Sequence, residues 1–131
     1  MKLLLDTHVA IWAVEDSPRL SSAARALILR PEARIFVSVV SLWEIAIKHA
    51  LGRSGERAMP MSAAVAKRYF LGSGFELLPI EPQHVEALEG LERHHDDPFD
   101  RLLVATARHE PMHLVTQDRM LASYGDAIRS V

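Results

Sequence analysis

The chain has 131 residues, 49% of them hydrophobic, a formal net charge of −2 and no cysteine. That length suits one domain burying about two thirds of its unfolded surface, and the apolar content excludes a disordered chain. Lack of cysteine excludes disulfides, iron–sulfur clusters and thiolate zinc sites, and the slight negative charge excludes a global positive field for gripping nucleic acid.

Lys2–Leu5 is a short apolar run that reads as a buried central strand, broken by Asp6-Thr7-His8. The same start resembles a short signal peptide, but Asp6, Glu15 and Asp16 interrupt it, and no apolar run reaches the roughly 18 residues of a membrane span. A reducing, cytoplasmic location is expected. Val9–Val14 looks helical up to Pro18, and Ser21 or Ser22 caps a second helix that Pro31 closes. Arg34–Val37 reads as strand two. An apolar pattern at helical spacing follows from Ser41 to about Leu51, stopped by Gly52.

Residues 53–60 form a polar loop with Gly55 and Pro60, and Ser62 caps a helix ending before Gly72. Glu76–Leu78 is strand three, and Pro82 opens a helix reaching about Arg93. After a polar turn at His94–Asp97, Pro98 starts a helix to about His109. His113–Val115 is strand four, a short helix follows near Asp118–Tyr124, and residues 127–131 suit an edge strand. Short apolar strands alternating with helices predict an α/β fold with a parallel sheet covered on both faces.

Ligands of such sheets bind beyond the carboxyl ends of the strands. Asp6 directly follows strand one, Glu44 lies in the first turn of the helix after strand two, and Asp118 lies just past strand four. Fold logic therefore sets these three on one rim. Asp100 opens the helix before strand four, and a simple count gives the carboxyl rim to the 82–93 helix instead, which leaves Asp100 unplaced by strand order. Clustered carboxylates raise one another's pKa unless cations relieve them. Oxygen ligands without thiolate or imidazole suit magnesium or manganese, which can activate water and hold a phosphodiester.

Structural roles compete for the same acids. Ser41-Leu-Trp-Glu44 and Asp97-Pro-Phe-Asp100 both have capping-box form, and Asp118 fits a helix start. Asp6, ending an apolar strand, suits turn duty less well. Thr116 is placed to orient Asp118 or contact a phosphate, with Thr7 similar, and Asp97 reads as a cap that could reach a metal through water. Arg101 suits a carboxylate, a phosphate or a surface ion pair. His94-His95-Asp96-Asp97 lacks recognised zinc spacing, and adjacent residues seldom both point inward. Trp12 and Trp43 read as core rather than base-stacking residues. Ala46, Ala50, Val65, Ala66, Met59 and Met61 suit either an ordinary core or a partner groove.

Four segments in order resemble the PIN-domain proteins, closest to VapC-type toxins: Leu3–Trp12 around Asp6, Ser38–Lys48 around Glu44, Asp97–Ala107 around Asp100, and Leu114–Asp118. The resemblance spans essentially the whole chain. It implies a single PIN-like domain over 1–131, a three-layer α/β/α sandwich around a short, mostly parallel sheet. It also implies an acidic quartet of Asp6, Glu44, Asp100 and Asp118, with Asp100 brought to the pocket by an inward-angled helix pair. The implied activity is a Mg2+- or Mn2+-dependent endoribonuclease, a toxin with a cognate antitoxin, commonly a homodimer. An inactive PIN-like binding module or a DNA nuclease is the alternative. A receiver domain is disfavoured, since Asp6 lacks a paired acid and the last lysine is Lys67.

Overall fold

A computed structural model describes residues 1–52 and 58–131. Among the described residues five strands form one sheet: β1 (Lys2–Leu5), β2 (Arg34–Ser38), β3 (Glu76–Leu78), β4 (His113–Thr116) and β5 (Ile128–Ser130). Their order is β3-β2-β1-β4-β5, and all four pairings are parallel. The helices are α1 (Thr7–Glu15), α2 (Ser22–Ile28), α3 (Val39–Ala50), α4 (Ala63–Gly72), α5 (Pro82–Glu86) and α6 (Pro98–His109). None of the described helices is long and apolar enough to cross a membrane. The expected polar loop lies partly outside the described residues, Gly55 with it.

Side chains alternate across a strand, and β1 feeds both faces of the sheet. Leu3 and Leu5 join one core with Val9, Ile11, Ile45 and Phe70; Leu4 joins the other with Phe36, Leu103, Leu114 and Leu121. All three leucines of β1 are fully buried, each contributing about 1.5–3 kcal/mol of transfer free energy. This is the expected α/β/α sandwich.

Caps explain where helices start. The Asp6 side chain accepts the Thr7 N–H, so α1 begins two residues earlier than the apolar pattern indicates. Ser38, not Ser41, caps α3 by accepting the Val40 N–H. The capping-box reading of Ser41 and Glu44 is therefore wrong: Ser41 lies inside the helix, fully buried.

The helix expected over 82–93 is only α5 followed by a 3-10 turn, Ala87–Gly90. Glycine costs about 1 kcal/mol in a helix and Gly90 helps end this one. Its His84 contacts Glu110, just past the end of α6. Thus α6, not α5, is the helix that starts at the carboxyl rim and delivers the chain to the start of β4. The simple count failed because it treated α5 as a full crossover helix. From β1 the chain passes to β2 and β3 on one side, then returns to β4 on the other, which opens a crevice between the ends of β1 and β4.

Candidate active site

Asp6 sits where β1 ends, its backbone N–H bonded to the Val115 carbonyl of β4 at 3.0 Å. One carboxylate oxygen accepts the Thr7 N–H at 2.7 Å and the other the Thr116 hydroxyl at 2.8 Å. The Thr116 oxygen also accepts the Asp118 N–H at 3.0 Å. Thr116 thus joins Asp6 to the loop after β4, rather than touching the Asp118 carboxylate as the sequence suggested.

Glu44 points inward from α3. Its Oε1 accepts the Thr7 hydroxyl at 2.7 Å, and its Oε2 pairs with Lys48 one turn on. Thr7 has one hydroxyl proton, which goes to Glu44, so the 2.8 Å contact between Thr7 and Ser41 has Ser41 as donor. A relay Ser41–Thr7–Glu44 fixes the acid without using it as a cap.

Asp97 caps α6, accepting the Phe99 and Asp100 N–H groups at 2.9 and 3.0 Å. That cap and Pro98 set the first turn and turn Asp100 toward the other acids. Asp100 is not a capping-box acid, because the Asp97 N–H is taken by His95 Nδ1 at 3.0 Å. Asp118 starts the 3-10 turn Arg119–Tyr124 by accepting the Met120 N–H at 3.0 Å, so its structural role is real. Its other oxygen lies 3.1 Å from His95 Nε2, and Asp100 lies 3.5 Å from the same nitrogen.

Asp6, Glu44, Asp97, Asp100 and Asp118 line one cleft of about 650 Å³, with Lys48, Arg19 and His8 on its walls. Five carboxylates face two permanent cations. Burial pushes the Asp6 carboxyl up, against the lowering effect of the Thr116 hydrogen bond. Asp100 is pushed up to about 8, first by burial and then by repulsion from Asp6, Asp97, Glu44 and Asp118. The set is electrostatically frustrated, and a bound cation is the natural relief. Ligand atoms of His95, Asp100 and Asp118 lie within 4.8 Å of one another; Asp6 and Glu44 line the same cleft without joining that triad.

Several residues depart from their sequence reading. Among the described residues Arg101 holds neither a carboxylate nor a surface ion pair; its guanidinium bonds the Glu92 carbonyl at 3.0 Å, the Leu91 and His95 carbonyls and the Tyr124 hydroxyl. Trp43 is not core: it is 52% exposed and packs edge-on against Phe99, while Glu44 and Ile45 take the inward face of α3. Trp12 is partly buried and reaches the cleft. Met59 and Ala66 are core, whereas Ala46 and Ala50 are exposed. His95 was missed. Its neighbour His94 stays outside against Tyr124, so the rule that adjacent residues seldom both point inward holds here, but that rule does not say which of the two turns in.

A PIN domain family model matches residues 3–127. "Ribonuclease VapC22" of Mycobacterium tuberculosis (strain ATCC 25618 / H37Rv) is 32% identical over 123 residues, covering 93% of this chain and 91% of that protein. Among solved structures, VapBC2 from Rickettsia felis bound to a promoter DNA fragment aligns with TM-score 0.69 and 16% identity, over 100% of this chain and 99% of that one. DNA-bound VapBC from Salmonella typhimurium aligns with TM-score 0.68 and 18% identity, over 99% and 98%. At such identities these two speak to the fold alone. The family model spans nearly the whole chain, a relative above 30% identity covers it almost end to end, and the strand order opens its crevice where the acids gather. On these grounds the chain belongs to the PIN domain family.

Proposed function

We propose that this chain is a divalent-metal-dependent endoribonuclease, the toxin of a toxin–antitoxin pair, with Asp6, Glu44, Asp100 and Asp118 as its site. The observation that carries the reading is the convergence of these acids, three of them buried or nearly so, in one open cleft with too few cations to balance them. The name of the Mycobacterium tuberculosis relative supports the choice of RNA as substrate. Toxin–antitoxin complexes among the similar structures support a protein partner. A single domain over 1–131, a homodimer and a cytoplasmic location complete the proposal.

The donor set fits Mg2+, with Mn2+ as substitute: carboxylate oxygens dominate, and no thiolate is present. Asp100 and Asp118 would hold the ion, with Asp6 and Glu44 reaching it directly or through water and Asp97 as an outer acid. When bound, the ion would supply Lewis-acid stabilisation of charge on the phosphate oxygens and make a water more acidic. The chain itself does the positioning. Thr7 and Thr116 fix both Asp6 oxygens, and Thr7 with Lys48 fixes Glu44. Lys48 and Arg19 on the cleft wall are placed to receive phosphate oxygens and orient the strand for in-line attack.

The test is cleavage of RNA and matched DNA with Mg2+ or Mn2+, run beside a chelated sample and Asp6→Asn. RNA cleavage lost in both controls is the expected result. Cleavage that survives chelation and the substitution would refute the mechanism, and cleavage of DNA alone would refute the substrate.

A further inference from the structure

We propose that His95 is a positioning residue whose Nε2–H braces Asp118 and Asp100 for a cation that it does not itself ligate. The inference rests on the metal-site reading above. It begins with a hydrogen-bond count. The Asp97 N–H has a single proton, which it donates to His95 Nδ1 at 3.0 Å. That nitrogen must therefore keep its lone pair. In a neutral imidazole the proton is then on Nε2. Nε2 faces Asp118 Oδ2 at 3.1 Å and Asp100 Oδ2 at 3.5 Å, so it is a donor to one carboxylate and within electrostatic reach of the second. A nitrogen carrying a proton has no lone pair for a metal. Ligation through Nε2 would demand an imidazolate or rupture of the Asp97 contact.

The local sequence holds this arrangement in place. Asp97 caps α6 with its side chain and grips His95 with its backbone, so the cap and the imidazole are set by one residue. Arg101 pins the carbonyls on either side of the loop, at Glu92 and at His95. The His95 side chain is 13% exposed, enclosed enough that its ring cannot swing freely. Asp118 then has one donor on each oxygen, from Met120 N–H and His95 Nε2–H, which fixes the carboxylate plane while leaving a lone pair on each. Such outer partners orient ligands, and their loss typically lowers metal affinity about 10- to 100-fold.

The experiment combines side-chain nitrogen NMR with Mn2+ binding. In the metal-free wild type, His95, assigned by its disappearance in His95→Gln, is expected to show a lone-pair Nδ1 and a protonated Nε2, unchanged when Mg2+ is added. Mn2+ affinity is expected to fall about 10- to 100-fold in His95→Ala and to recover largely in His95→Gln, whose amide restores the donor. Imidazole nitrogen coupling in the Mn2+ electron spin echo of the wild type, or loss of the Nε2 proton on Mg2+ addition, would overturn the proposal in favour of direct ligation. Unchanged affinity in His95→Ala would overturn it by leaving His95 without a role, and equal losses in both variants would overturn it by removing the donor's part. Failure of the wild type to bind Mn2+ at all would instead overturn the metal reading beneath it. If His95→Ala does not fold, the wild-type NMR and the His95→Gln affinity still decide.

Discussion

At the amino end of α6, His95 takes the Asp97 N–H on Nδ1 and turns Nε2 toward Asp118 and Asp100. At the carboxyl end, His84 takes the Glu81 N–H on Nδ1 and turns Nε2 toward Glu110. The two histidines are held by the same pair of hydrogen bonds, yet their surroundings differ. His84 is fully buried, meets one carboxylate and packs edge-on against the His109 ring, 5.3 Å away. His95 contacts two of the five carboxylates that line an open cleft. The groups His84–His109–Glu110 and His95–Asp100–Asp118 both have ligand-type atoms within 4.8 Å of one another. Proximity alone therefore does not distinguish a metal site from a staple. The number of acids left without compensating donors does, and so does room for a ligand. At the far end the lone-pair count works against ligation too, because His84 Nε2 must carry the proton it gives to Glu110.

The comparison predicts different failures at the two ends. The largest effect is on chemistry: Asp100→Asn should lower metal-dependent RNA cleavage at least about 100-fold, the size expected when several kcal/mol of charge stabilisation is lost. Steady-state rates on one RNA measure it, and activity within a few-fold of wild type would place Asp100 outside the site. At the far end, His84→Ala should cost stability instead, by about 2–4 kcal/mol, since it opens a cavity and strands the Glu81 N–H and the Glu110 carboxylate. Denaturant melts read that loss, while the rate per folded molecule should stay unchanged.

A pH effect comes next. Unfolded, Asp100 loses its proton near the ordinary value of about 4, whereas in the metal-free fold it keeps it up to about 8. The fold binds the extra proton across that window, so this contribution to stability falls as pH rises, is intact below about 4 and is fully lost above about 8. Thermal melts of the metal-free protein should decline over this range, Asp100→Asn should flatten the decline, and saturating Mg2+ should remove it by replacing the proton. A slope of opposite sign would show that Asp100 is not the frustrated member. The smallest effect is at Trp43, half-exposed and resting on Phe99 at 4.9 Å: Trp43→Ser should cost about 1 kcal/mol or less. A loss of several kcal/mol would mean that it is core after all.

Much of this architecture was legible in the residues. Lys2–Leu5 and His113–Val115 are apolar runs too short for helices, and Pro and Gly punctuation set most boundaries within a few residues. The rim shared by Asp6, Glu44 and Asp118 followed from strand-then-helix order. Asp100 was not legible from that logic, because α5 is a stub and a long irregular return carries the chain back before α6. Residues 87–93 have helical periodicity, and only tertiary packing decides how far the helix runs. His95 was hidden for a related reason. It lies in a polar turn, where no periodicity reports which side chain faces inward, and its role depends on a backbone N–H two residues on. Glu44 shows the opposite error: the Ser41 capping pattern was present, but Ser38 capped the helix first.

The central claim is that the amino end of α6 is a divalent-cation site and the carboxyl end is not. Mn2+ binding, followed by loss of the free-ion electron paramagnetic resonance signal, tests it directly on the wild type, Asp100→Asn and His84→Ala at pH 7. The wild type and folded His84→Ala are expected to bind with the same stoichiometry, and Asp100→Asn to lose at least about tenfold in affinity. Binding that survives Asp100→Asn but disappears in folded His84→Ala would contradict that claim.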